Sequence, residues 1–283
     1  MHRDDGGCGG RSRHRVPRAL LGILAATTLI GVACGDDDDA ARATSVAPGT
    51  TTTAGGSTAP ATTGAVAAAA DFDKTAFCDA FMDANMASAA TGDPDADPVA
   101  VATALLEPAQ RAEAVAPPEL TDELAHAVEL LQQAVDTKDG SLIEQADPAA
   151  SNEWTAANCG WTEVEATAED YHFMGIPDTL QAGDYSFQLT NNGKEFHVLV
   201  IVKRKDGVTD SFEQLLSDPA GEEKVETVLG VAAPPGAPGT GAVHLEPGDY
   251  LVLCPIPIGT TGETEGSGPP HFTAGMQQVL TVT

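Results

Sequence analysis

The chain has 283 residues, with 42 Asp and Glu against 14 Lys and Arg and a formal net charge of −28 at pH 7. So acidic a surface repels phosphate backbones and anionic headgroups, which argues against nucleic-acid binding and leaves cationic or neutral partners. The length allows two small domains once a biased N-terminal stretch is set aside.

Arg11, Arg13, Arg15 and Arg18 precede an apolar run, Ala19 to Ala33, that stops at Cys34. A basic segment followed by an apolar one of this length reads as an export signal over residues 1–33, short for a membrane span. Val32 and Ala33 before Cys34 resemble the bacterial lipoprotein box, although Gly31 stands where leucine is usual. That resemblance implies Cys34 as the lipidation site, attachment to the membrane through a lipid anchor, and an extracytoplasmic location. A plain signal peptide or an uncleaved anchor is the other reading, and it too places the rest of the chain outside the cytoplasm. Removal of residues 1–33 takes the basic count from 14 to 9 and the acidic count from 42 to 40, so the remaining chain carries −31.

Residues 34–70 continue with GDDDD and then a tract of Ala, Thr, Gly, Pro and Ser without an aromatic residue. Such a tract buries too little apolar area to offset its chain entropy, and is predicted to be a disordered tether. As a flexible coil it spans about 30 to 35 Å.

Residues 71–160 read as a small helical bundle. In PPELTDELAHAVELLQQAVDTKDG, Leu120, Leu124, Val128, Leu131 and Val135 recur at helical spacing, between a proline pair and Gly140. Asp73–Ala90 and Asp97–Val115 are Ala-rich and amphipathic, the second interrupted by Pro108, and 142–146 and 150–158 predict shorter turns. Met82 and Met86, four apart on one helix, form either a soft-metal pair or core packing, and packing is the expectation because methionine commonly fills core gaps.

The cysteines divide by position. Cys8 falls within the export signal and Cys34 at its end, while Cys78 and Cys159 flank the bundle. Outside the cytoplasm Cys78 and Cys159 are expected to pair, which over their separation stabilises by about 4 to 5 kcal/mol on loop entropy. Cys254 is left over, and a leftover exported cysteine is a reactive thiol, an intermolecular bridge or a metal ligand. Its pairing with Cys78 or Cys159 stays open, and would strand one helical cysteine.

From about residue 161 the apolar period changes from 3.6 to 2. DYSFQLTNNG puts Tyr185, Phe187 and Leu189 on one face and ends in an Asn-Asn-Gly turn, and FHVLVIVK reads as a strand buried on both faces. GAVHLEPGDYLVLC predicts a hairpin turning at Glu246–Asp249, QQVLTVT a last strand, and DSFEQLL a helix between strands. Short strands punctuated by turns predict a β-sandwich or barrel over 161–283. His172 and His244, in strand-like segments, are expected to be structural or surface residues.

GDYSFQLTNNGKEFHVLVIV, LEPGDYLVLCPIP and PPHFTAGMQQVLTV together resemble the cupredoxins, the blue-copper β-sandwich family. The resemblance covers the C-terminal 120 or so residues. It implies the fold class α + β multidomain, a small disulfide-closed helical bundle followed by a cupredoxin-like Greek-key β-sandwich. It also implies one copper ion of type 1 character held by His197, Cys254, His271 and Met276. Two imidazoles and a thiolate with a weak axial thioether tolerate both copper oxidation states, which suits one-electron transfer. The partner would be an envelope redox or copper-handling protein.

Sixteen residues separate Cys254 from His271, more than in the family's ligand loops. Either GTTGETEGSG loops out as a flap with its ends held together, or the site is looser and more solvated, which favours copper carriage or resistance over fast electron transfer. A metal-free cupredoxin-like binding module is the third reading. No Ser-His-Asp arrangement, nucleotide loop or carboxylate pair has a context that supports catalysis. The bundle offers no ligand signature, and the short Cys159–Trp161 junction predicts that it packs directly on the sandwich.

Overall fold

The computed structural model describes residues 72–91 and 96–283. The segment read as an export signal, Cys8, the expected lipidation site Cys34 and the predicted tether lie outside the described residues.

Each of the first two helices begins at an aspartate. Asp73 accepts the Ala76 N–H ahead of α1 (Lys74–Ala90), and Asp97 accepts the Val99 N–H ahead of α2 (Pro98–Ala114). These carboxylates satisfy donors that a helix start leaves without partners. The expected interruption at Pro108 does not occur, and α2 runs through it. The proline removes one intrahelical hydrogen bond, and burial of its ring offsets part of that cost. After α3 (Thr121–Thr137) a 3-10 turn (Gly140–Gln145) leads to α4 (Ala149–Asn158). Leu124, Leu130, Leu131 and Ala134 are the buried face of α3. Phe77, Phe81, Ala112, Leu120 and Leu124 form one small core, flanked by Trp154 and Trp161. Met82 is buried, as packing predicts, whereas Met86 is exposed.

The Cys78–Cys159 disulfide, Cα atoms 5.6 Å apart, ties α1 to the C-terminal end of α4. Cys254 is therefore outside that bridge, free and buried.

Nine strands follow: β1 (Thr162–Glu169), β2 (His172–Met174), β3 (Thr179–Leu180), β4 (Gly183–Asn191), β5 (His197–Arg204), β6 (Val225–Ala233), β7 (Pro238–Leu245), β8 (Gly248–Leu253) and β9 (Gln277–Val282). They form two sheets, ordered β2-β1-β4-β7 and β3-β9-β8-β5-β6. Most ladders are antiparallel, but β1 runs parallel to β4 and β3 to β9. Tyr185, Phe187 and Leu189 point from β4 into the core, and the first six residues of β5 are buried. The helix α5 (Phe212–Ser217) interrupts the strands and begins with a capping box between Ser211 and Gln214. On the outside, α1 lies against β6 and β7, and α4 against β7. No helix among the described residues is long and apolar enough to cross a membrane.

The expected hairpin at 246–249 is instead an arch between the sheets. β7 pairs with β4 in one sheet, while β8 pairs with β5 and β9 in the other. Tyr250 supplies what a hairpin ladder would have, since its phenol accepts the Glu246 N–H at 3.1 Å and donates to the Glu246 carbonyl at 2.9 Å. The β5–β8 register, with Val200 opposite Leu253, brings His197 at the start of β5 close to Cys254 just beyond β8.

Candidate metal centre

Three elements carry the donors. His197 opens β5, Cys254 follows β8, and His271 begins a 3-10 turn (His271–Ala274) that leads through Met276 into β9. His197, Cys254, His271 and Met276 are each 0% exposed. His197 Nδ1 lies 3.1 Å from His271 Nδ1, and Cys254 Sγ lies 3.3 Å from His271 Nδ1. The ligand atoms of His197, Cys254 and His271 all fall within 4.8 Å of one another. Met276 is joined to the other two loop residues through its backbone, donating N–H to the His271 carbonyl at 3.2 Å and accepting the Cys254 N–H at 3.1 Å. Gly275, at φ 113°, makes the reversal that lets Met276 turn back.

The outer ring nitrogens are held as firmly as the inner ones. His197 Nε2 lies 3.0 Å from Asp170 Oδ1, and His271 Nε2 lies 3.0 Å from Glu195 Oε2. Burial holds both imidazoles below the usual histidine range, against the opposing pull of these carboxylates. The carboxyls in turn stay below their ordinary range. Burial alone would raise Asp170, but hydrogen bonds from His197 and from the Lys194 and Glu195 amides outweigh it. For Glu195 the Gly259 amide, the Tyr171 phenol and His271 do the same. Burial pushes the Cys254 thiol up to about 12, despite N–H groups of Val198 and Ile256 that favour the thiolate.

An ionised carboxylate only accepts hydrogen bonds, so the contacts at Nε2 favour the tautomer of each neutral imidazole that carries its proton there. His197 Nδ1 and Cys254 Sγ then face His271 Nδ1 at 3.1 and 3.3 Å, three donor atoms turned toward one point that a cation could occupy. The donor set fits copper: two imidazole nitrogens and a thiolate, with a thioether residue in the same loop.

The long Cys254–His271 interval does not loosen the site. His271 N–H donates to the Ile256 carbonyl at 2.9 Å, Phe272 N–H to the Cys254 carbonyl at 3.0 Å, and Pro257 bridges to Pro270. The insert is thus closed at its neck, as the flap alternative requires. It also folds back on the site: Gly259 N–H donates to Glu195 Oε2 at 2.6 Å, and the Thr260 carbonyl accepts the Phe196 N–H at 2.8 Å.

Three further residues shape the centre, and only Asn191 has a sequence signal, the Asn-Asn-Gly turn. Asp170 and Glu195 are two acids among many. Asn191, in the Asn-Asn-Gly turn, is fully buried, donates to the Glu195 and Ala233 carbonyls at 2.8 Å each, and accepts the Gly193 N–H at 2.8 Å. His172 and His244 lie at the surface beside Glu169 and Asp184 respectively, as expected.

No protein-family model and no curated protein matches the sequence. Among solved structures, the chain is similar to auracyanin A, a "blue" copper protein from Chloroflexus aurantiacus, at 19% identity over 44% of this chain and 100% of that one, with a TM-score of 0.30. It is similar to the reduced auracyanin of Roseiflexus castenholzii at 20% identity over 43% and 97%, TM-score 0.28. The copper protein rusticyanin matches at 17% identity over 43% and 78%, TM-score 0.25. At these scores the likeness carries no functional weight. The segment from β1 to β9 is a two-sheet β-sandwich in which His197, Cys254 and His271 converge as a buried cluster that could hold a metal ion, the arrangement the cupredoxin resemblance implies.

Proposed function

We propose that this protein binds one copper ion as a type 1 centre and passes single electrons outside the cytoplasm. His197 Nδ1, His271 Nδ1 and Cys254 Sγ would hold the ion, with Met276 as the weak axial donor. The observation that carries this reading is the convergence of three buried donors on one point. Copper held there supplies a one-electron Cu(II)/Cu(I) couple. The chain's own residues do the rest: strands β5 and β8 hold their donors in place, and full burial keeps water and substrates from an open coordination position. That favours electron transfer over catalysis, which needs such a position. The hydrogen-bonded neck of the insert weighs against copper carriage, which needs a mouth that opens.

The setting extends the proposal. Export is supported by the Cys78–Cys159 disulfide, which belongs to oxidising compartments. Lipidation at Cys34 would leash the sandwich to the membrane, where an envelope redox protein with a cationic face suits the acidic surface.

The test is a visible absorption spectrum of the purified protein with one equivalent of Cu(II), beside Cys254→Ser. An intense thiolate-to-copper band that vanishes in the variant supports the type 1 reading. A colourless protein whose melting temperature ignores both Cu(II) and Cu(I) overturns it and leaves a metal-free binding module.

A further inference from the structure

We propose that Asp170 and Glu195 are positioning residues for the centre: each grips one ligand imidazole by Nε2, fixes Nδ1 bare toward the ion, and adds a negative charge that favours Cu(II) over Cu(I). The redox half of this rests on the copper reading above, whereas the tautomer half does not.

The arrangement is symmetrical in chemistry but built from separate elements. One carboxylate oxygen sits 3.0 Å from the Nε2 of each histidine. Neither carboxylate is free to swing. Asp170 accepts the Lys194 N–H at 3.2 Å and the Glu195 N–H at 3.4 Å, while Glu195 accepts the Tyr171 phenol at 2.8 Å and the Gly259 N–H at 2.6 Å. The neighbours Asp170 and Tyr171 therefore clasp Glu195 through its amide and its side chain, linking the two grips into one unit. The Tyr171 ring also lies 4.9 Å from the His271 ring. Room for the Asp170 grip depends on Gly193, where a Cβ would come within 2.7 Å of His197 Nε2 and collide with Asp170 Oδ1.

Held this way, a ring cannot flip or exchange tautomers without losing a charge-assisted hydrogen bond. The imidazoles are 0% exposed but the Asp170 and Glu195 side chains are 27% and 16% exposed, so the charge sits between the rings and solvent. Each added charge of this kind stabilises the more positive state of a bound ion.

The experiment uses the full chain, first free of metal. Long-range proton–nitrogen NMR of the histidine rings is expected to find His197 and His271 as Nε2–H tautomers. Glu195→Gln keeps an acceptor and removes the charge. It is expected to retain the His271 tautomer and the copper absorption band, while the Cu(II)-over-Cu(I) preference falls roughly tenfold, a rise of ~59 mV for a one-electron couple. Glu195→Ala is expected to erase the tautomer preference at His271 and to weaken copper binding by about 10-fold or more. Asp170→Asn tests His197 in the same way and, unlike alanine, still accepts the Lys194 and Glu195 amides, so the turn stays folded.

Nδ1–H tautomers in the wild-type protein overturn the inference. So does a potential that stays put in both Glu195→Gln and Asp170→Asn. Nε2–H tautomers in a protein that takes up no copper would support the grip while overturning the copper reading, so the two fail separately.

Discussion

The backbone N–H of Val198 points at Cys254 Sγ across 3.4 Å, so the strand that carries one imidazole also supports the sulfur. His197 and Val198 are consecutive, and the β5–β8 ladder fixes their height against Cys254. The Cys254 sulfur therefore meets a backbone donor and an imidazole from one rigid segment. Neither position can shift without breaking strand pairing.

Copper uptake should release one proton per ion. The thiol is pushed up to about 12 by burial and is protonated in the metal-free protein. Both histidines are held below their ordinary value of 6.5, so above that pH they have no proton to give. Affinity should rise about tenfold per pH unit between pH 7 and 8. Calorimetry in buffers of different ionisation enthalpy reads the proton count directly, and a count of zero or two would contradict this protonation scheme.

Acid should destabilise the metal-free fold in two stages. His197 and His271 have folded values below 6.5, so the unfolded chain binds their protons first and stability declines as pH falls below that point. Asp170 and Glu195 lie below their ordinary 3.8 and 4.5, so their contribution is full above those values and lost as pH falls through the folded ones. Thermal unfolding from pH 8 to 3 should show a midpoint that falls throughout the acid limb. His197→Asn should flatten the part between 6.5 and 4.5, and a midpoint that rises on acidification would refute the scheme.

The legible parts of the fold were those with a periodic or chemically rare signal. β4, β5, β9, α3 and α5 carry clean patterns, and an unpaired Cys254 followed by His271 and Met276 is uncommon enough to stand out. What decided the rest was three-dimensional pairing. Glu246-Pro247-Gly248-Asp249 turns the chain equally well in a hairpin or an arch, and only the assignment of β7 to β4 and of β8 to β5 separates them. The neck of the insert is made of backbone hydrogen bonds, for which no residue type is diagnostic. Asp170 and Glu195 were invisible because a chain with 42 acids gives no reason to choose two.

Asn191 is expected to be the most sensitive polar residue outside the donors. Its amide satisfies two carbonyls and one N–H where β4 leaves the sheet, and the turn it holds carries both Glu195 and His197. Asn191→Ala leaves the buried Ala233 carbonyl and two part-buried groups without this partner, at about 3 kcal/mol in unfolding free energy. The turn should also loosen, so copper affinity should fall with stability. A denaturant midpoint and affinity both at wild-type values would show that the turn is held by strand pairing alone.

Removing the disulfide separates stability from the centre. All four proposed donors lie in the sandwich, whereas Cys78 and Cys159 close the helical segment. Cys78→Ser with Cys159→Ser should lower unfolding free energy by about 4 kcal/mol, because the opened 81-residue separation restores freedom to the unfolded chain. The copper band and its position should not change, since β5, β8 and the 271–276 turn keep their hydrogen bonds. A shifted or weakened band would instead show that α1 and α4, packed on β6 and β7, hold the sheet that carries His197 in register. Absorption of the copper-loaded double variant alongside its denaturant curve distinguishes the two.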